Sequence, residues 1–138
     1  MIYALDSNTI SYALRHEGNA RKNFTREIME RGNEYAISFM VMHEVKRWLL
    51  YKPTKILIKY NEEFDGLFQP VKHTAEMPCS VWEKATEIYN SLQSKGQLIK
   101  DADILIASYC IVNGYTLVTR NAKDFERIED LKFVNWYS

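Results

Sequence analysis

Short apolar runs alternate along the chain with longer segments in which apolar residues recur every three or four positions. Ile2 to Leu5 predicts a short buried strand, ended by Asp6-Ser7-Asn8-Thr9, four residues suited to capping a helix that continues to about Arg15. Asn19 to about Arg31 predicts a second helix, with Phe24, Ile28 and Met29 on one face and Gly32-Asn33 as its stop. Tyr35 to Ser38 predicts a second strand. Met40 to Tyr51 predicts a helix that ends ahead of Pro53, because proline restricts the residue before it. A helix over Thr54 to about Phe68, a strand over Val71 to Thr74 and a helix over Ser80 to about Lys95 follow, the last stopped by Gly96. Asp101 to Val112 is strongly apolar and helical, closed by Asn113-Gly114, and strands are expected at Tyr115–Thr119 and Leu131–Val134. Strands alternating with helices imply an α/β fold, a three-layer parallel sheet flanked by helices. In such sheets ligands bind beyond the carboxyl ends of the strands, so the pattern locates a site before any residue is singled out.

Composition narrows the class. The 138 residues suit one domain spanning 1–138, and 46% apolar with 26% charged residues is ordinary for a globular protein. Eighteen basic residues balance eighteen acidic ones, which argues against loose, purely electrostatic binding to nucleic acid. Local basic patches remain open at Arg21, Lys22, Arg26 and Arg31, and at Lys46, Arg47, Lys52, Lys55 and Lys59, where solvated helix faces are the plainer explanation. Cys79 and Cys110 have no CxxC spacing and suit core or near-surface positions in a reducing compartment. The start Met1-Ile2-Tyr3-Ala4-Leu5 lacks a basic segment, and no apolar run approaches the roughly 20 residues that span a bilayer, so a cytoplasmic protein without membrane attachment is expected.

The acids carry the chemistry. Asp6 directly follows the first strand, at the sheet's carboxyl edge, where it can cap the next helix and face the crevice at once. Glu44 lies three and four residues from Val41, Met40 and Trp48, at or beside the apolar face of its helix. A carboxylate so placed is costly unless paired, protonated or bound to a metal. Asp103 has Ile106, Ala107 and Cys110 as its helical neighbours, while Asp101 turns away from that stripe and fits a simple cap. Asp124 follows the strand Tyr115–Thr119. There Asn121 and Asp124 fit a capping box, or Thr119, Asn121 and Asp124 add polar groups to the same crevice. Carboxylates gathered in a partly dry site repel one another, and a hard divalent cation such as Mg²⁺ or Mn²⁺, which prefers oxygen, relieves that repulsion. His16, His43 and His73 are too scattered for a zinc box, His43 suits a surface or packing position, and there is no glycine-rich phosphate loop.

Four segments together resemble the PIN-domain ribonucleases, and within them the VapC toxins of toxin–antitoxin pairs. They are Ile2-Tyr3-Ala4-Leu5-Asp6-Ser7-Asn8, the stretch Ser38 to Val45 with His43-Glu44-Val45, Asp101-Ala102-Asp103-Ile104-Leu105-Ile106-Ala107, and Leu117-Val118-Thr119-Arg120-Asn121-Ala122-Lys123-Asp124-Phe125. Val134-Asn135-Trp136 resembles the usual ending, and the middle, about Lys52 to Gln97, carries little signal. The resemblance implies Mg²⁺- or Mn²⁺-dependent cleavage of structured RNA such as transfer RNA, initiator transfer RNA included, or ribosomal RNA. It also implies a homodimer and an inhibitory VapB-like antitoxin protein. On this view Asp6, Glu44 and Asp103 hold one or two metals, and Asp124 holds or orients a second metal or its water. Asn8, Thr119 and Asn121 support them from behind, with the part of Asp101 left open. Rim lysines or arginines would hold flanking phosphates. Tyr12 or Trp48 could stack on unpaired bases, although ordinary packing suits both.

Two other classes stay open. An aspartate-dependent phosphatase would use Asp6 as nucleophile, but that pattern wants a second aspartate where this chain has Asn8. A non-catalytic RNA-binding or regulatory module on the same fold would have lost its acids, and here they are present.

Overall fold

A computed structural model describes residues 1–52, 54–68, 73–74 and 78–138, with only the backbone described at 73–74. Strand β1 (Ile2–Leu5) leads into α1 (Ser7–Leu14) and α2 (Ala20–Phe24), which passes into a π-helical turn at Thr25–Glu30. Then come β2 (Glu34–Ile37), α3 (Phe39–Leu50), α4 (Lys55–Phe68), β3 (His73–Thr74) and α5 (Cys79–Ser94). The chain closes with α6 (Asp101–Asn113), β4 (Thr116–Val118), α7 (Ala122–Phe125) and β5 (Phe133–Val134). Every predicted helix and strand has a counterpart within one or two residues at most ends, with Pro53, Pro70 and the Val71–Lys72 part of the third strand outside the described residues.

The five strands form one sheet in the order β3-β2-β1-β4-β5, and every pairing is parallel. All carboxyl ends therefore lie along one edge. The chain winds outward from β1 to β3 and then returns to place β4 on the other side of β1. That reversal puts the binding crevice at the ends of β1 and β4. Ala4 and Leu5, Ala36 and Ile37, and Leu117 and Val118 are each at most 1% exposed, as expected of a parallel sheet covered on both faces. Ile10 and Leu14 of α1, Val41, Val45 and Leu49 of α3, and Ile104, Ala107 and Cys110 of α6 pack onto the same core. Cys79 is exposed and Cys110 buried. Among the described residues no helix is long and apolar enough to cross a membrane.

The second helix departs from expectation. Met29 is exposed rather than apolar-facing, while Glu27 and Ile28 of the π-helical turn take the inward positions. Glu27 occupies the inward position and is 6% exposed. It accepts from Arg31 Nη1 at 2.8 Å, Asn33 Nδ2 at 3.1 Å and the Tyr3 hydroxyl at 3.5 Å, so this buried carboxylate is fully partnered.

The C-terminal residues are clamped against α1. The Arg120 guanidinium lies 3.7 Å from the Tyr137 ring centroid, and Tyr12 meets that ring edge-on at 4.7 Å. Tyr12 is thus a packing residue. Asn19 N–H donates to the Tyr137 carbonyl at 2.8 Å across Gly18, whose φ is +57°. A methyl group on Gly18 would lie 2.6 Å from that carbonyl oxygen and 2.9 Å from the ring. Gly18→Ala is therefore expected to destabilise the fold by about 1–3 kcal/mol, from backbone strain plus displacement of Tyr137. Thermal unfolding checks this, and an unchanged Tm would contradict it.

Candidate active site

Each acid reaches the carboxyl edge for a local reason. Asp6 is the N-cap of α1: its backbone is extended (φ −81°, ψ 166°) and its Oδ1 accepts from Thr9 N–H at 2.7 Å. Its own N–H donates to the Val118 carbonyl, tying the end of β1 to the end of β4. Ser38 caps α3 by accepting from Val41 N–H at 3.2 Å, which sets the helix phase that brings Glu44 to the crevice. The Ser7 hydroxyl donates to Glu44 Oε2 at 2.8 Å and fixes the carboxylate across the gap between α1 and α3. Asp103 lies in the first turn of α6, with buried Ile106, Ala107 and Cys110 below it on the same stripe.

Asp6, Glu44 and Asp103 line one cleft of about 330 Å³, together with Ser7, Asn8, Lys100 and Asn121. Asp124 is not among the residues that line it. Asn121 Nδ2 donates to Asp124 Oδ2 at 2.9 Å, and the Asp124 charge acts on Asp103. Thr119, 1% exposed, hydrogen-bonds Asp6 and also accepts from Asn121 N–H at 3.1 Å. One residue thus links the first acid to the segment that carries Asp124.

Two expectations need correction. Asn121 and Asp124 do not form a capping box, since the Asn121 N–H that Asp124 would accept is already taken by Thr119. Asp101 is not the cap of α6. Lys100 occupies the N-cap position and Asp101 begins the helix, exposed, on a separate cleft between α5 and α6 beside Trp82, Tyr89 and Leu105. Asn8 is exposed on the acidic cleft and His43 is exposed on α3. Ser7 and Lys100 belong to the cleft although neither was singled out from the sequence. Their signal was position, one immediately after the first acid and the other at the N-cap of the helix that carries Asp103.

The electrostatics are those of crowded, incompletely neutralised acids. Burial pushes the Asp6 carboxyl above its ordinary range despite hydrogen bonds from Thr9 and Thr119, and the Glu44 charge adds to the rise. Burial likewise raises Asp103, followed by the charges of Asp124, Asp6 and Glu44, with Lys100 opposing. Among the described residues none of these four acids forms an ion pair, whereas buried Glu27 pairs with Arg31 at 2.8 Å and Arg26 at 3.6 Å. The donor set is all oxygen, which suits Mg²⁺ or Mn²⁺ rather than zinc. Among the described residues no group of three or more acids, histidines or cysteines is placed closely enough to hold a metal ion by itself.

The PIN domain family model matches residues 3–131. Ribonuclease VapC2 of Rickettsia felis is 31% identical over 136 residues, covering 99% of this chain and 98% of that protein. Ribonuclease VapC1 of Methanocaldococcus jannaschii is 33% identical over 106 residues, covering 76% of this chain and 71% of that one. Among solved structures, VapBC2 from R. felis bound to a promoter DNA fragment superposes with a TM-score of 0.82 at 30% identity, covering 99% of both chains. VapBC-1 from nontypeable Haemophilus influenzae shares the fold at a TM-score of 0.80 and 23% identity, covering 100% of both chains. The chain belongs to the PIN-domain family and, within it, to the VapC ribonucleases.

Proposed function

We propose that this protein is a metal-dependent endoribonuclease and the toxin half of a toxin–antitoxin pair, with residues 1–138 acting as one nuclease unit. The observation that carries the chemistry is the contrast between two sets of acids. Glu27 is buried and matched by cations, while Asp6, Glu44, Asp103 and Asp124 act on one another at the sheet's carboxyl edge with no ion-pair partner among the described residues. Repulsion of that kind persists where a ligand removes it.

Asp6, Glu44 and Asp103 would hold Mg²⁺ or Mn²⁺, with Asp124 assisting from behind Asn121. The ion supplies charge neutralisation at the scissile phosphate and lowers the pKa of water. The protein's part is positioning. Thr9 N–H and the Thr119 hydroxyl hold Asp6, Ser7 holds Glu44, and Asn121 holds Asp124. Asn8 faces the cleft and orients water or substrate there, and Lys100 offers a cation to a phosphate. Asp101, on its separate cleft, takes no part. The family likeness supports structured RNA, transfer or ribosomal, as substrate. It also supports a VapB-like antitoxin as inhibitor, a second copy of the chain as partner, and action in the cytoplasm.

Purified protein incubated with structured RNA is expected to yield discrete internal cuts in Mg²⁺ or Mn²⁺ and none in excess EDTA. Gel analysis of end-labelled RNA reads this directly. RNA that is bound but left intact with either metal would instead favour a non-catalytic binding module.

A further inference from the structure

A second groove, of about 250 Å³, opens off the acidic cleft between α1 and α3. It shares Ser7, Asn8 and Glu44 with that cleft and continues to Ser11, Arg47 and Trp48. Arg47 and Trp48 stand three and four residues beyond Glu44. They therefore project on the same side of α3, about one turn, roughly 5.4 Å, further from the acids.

The walls are chemically uneven in a useful way. Arg47 is exposed and has no ion-pair partner among the described residues. Its neighbour Lys46, the other basic residue of α3 apart from His43, is by contrast engaged with Asp65 at 3.2 Å. Trp48 is half-buried, and its indole is stacked against Tyr60 with centroids 5.9 Å apart and planes 27° apart. That packing presets the ring plane while leaving part of the indole on the groove. Asn8 and Ser11 supply hydrogen-bonding side chains on the opposite wall. An unneutralised guanidinium, an aromatic surface and hydroxyl or amide groups in a groove this small match one unpaired nucleotide. A cation takes the phosphate, the ring takes the base, and the polar wall takes the 2′-hydroxyl.

We propose that this groove is a strand-binding subsite, holding the single-stranded nucleotide adjacent to the scissile phosphodiester, with its phosphate on Arg47 and its base against Trp48. The proposal rests on the nuclease reading of the acidic cleft and adds to it a substrate feature, an unpaired residue beside the cut.

Two measurements on one single-stranded RNA oligonucleotide test it, alongside the cleavage assay of the unaltered protein. Binding is measured in an Asp6→Asn background, so that the RNA survives, at several salt concentrations. Arg47→Ala is expected to bind about tenfold more weakly and to lower the slope of log K against log salt by about 0.7, the loss of one phosphate contact. Lys84→Ala, on a helix that lines neither groove, should change neither quantity. RNA is also expected to quench tryptophan fluorescence in a way that Trp48→Phe removes and Trp82→Phe keeps. If the parent protein cuts RNA while Arg47→Ala keeps the full slope and Trp48→Phe keeps the quench, the nuclease reading stands and the subsite falls. No binding at all by the Asp6→Asn protein also overturns the subsite. Loss of antitoxin inhibition in Arg47→Ala with RNA binding intact overturns it too, and assigns the groove to the protein partner.

Discussion

Asp6→Asn is expected to leave a folded protein whose RNA cleavage is at least about a hundredfold slower. Asparagine is nearly the shape of aspartate and is an equally good helix cap, so the Thr9 contact that starts α1 survives. What disappears is the negative charge at the junction of β1 and β4, the one position that both strand ends define. The stability consequence has a definite sign. Burial raises the Asp6 carboxyl above its ordinary range, so the folded protein holds that proton more tightly than the unfolded chain does. The contribution of the group to stability is then greatest at acid pH, below the unfolded value, and is lost as pH rises through the folded value. At neutral pH and without divalent ions the neutral asparagine lacks that penalty, and its Tm should exceed that of the parent protein. Asp103→Asn should behave alike, because burial and the neighbouring Asp124 raise its carboxyl in the same direction. The double variant should cut scarcely less than either single one, since residues acting as one unit lose activity together. Cleavage assays and thermal unfolding on the same preparations separate chemistry from folding. Undiminished cutting by either single variant would remove that residue from the active site.

Much of this arrangement is legible in the sequence because it depends on local signals. Ile2–Leu5 is an uninterrupted apolar run and Thr116–Val118 a short β-favouring one, each ended by a polar residue, so the two strands at the crevice announce themselves. Glu44 and Asp103 are visible as charges at apolar helical spacing. What is not legible depends on which of several partners a polar group chooses. Asn121 followed by Asp124 has the spacing of a capping box. Only the fold shows that Thr119, itself turned toward Asp6, takes the Asn121 N–H and leaves the side-chain amide to hold Asp124. Glu27 and Glu44 both fall on inward faces of their helices, and the sequence gives no means of telling them apart. The difference is that Arg31 and Asn33 fold back onto Glu27, while among the described residues Glu44 accepts from the Ser7 hydroxyl and has no ion-pair partner. Asp101 and Asp103, two residues apart, diverge because α6 packs against α5 on one side and faces the cleft on the other.

That same contrast predicts how the protein responds to metal. Mg²⁺ or Mn²⁺ at about 100 times its dissociation constant should stabilise the folded chain by about 2.7 kcal/mol, on the order of a 10 °C rise in Tm for a protein of this length. The unfolded chain cannot gather acids from positions 6, 44, 103 and 124, so the ion favours the folded state. The response should also depend on pH. Ion binding requires Asp6 and Asp103 as carboxylates, and both hold their protons more tightly than usual. The stabilisation should therefore be larger at pH 8 than at pH 5, and proton release should accompany binding. In metal-free buffer the order reverses, because the unrelieved carboxylates make the protein less stable as pH rises through their folded values. Asp6→Asn/Asp103→Asn should lose both behaviours, with a flatter metal-free pH profile and little rise in Tm on adding the ion. A rise in Tm of equal size in the parent and the double variant would place any bound metal elsewhere. No rise with either ion would mean that the acids are held together by the fold alone.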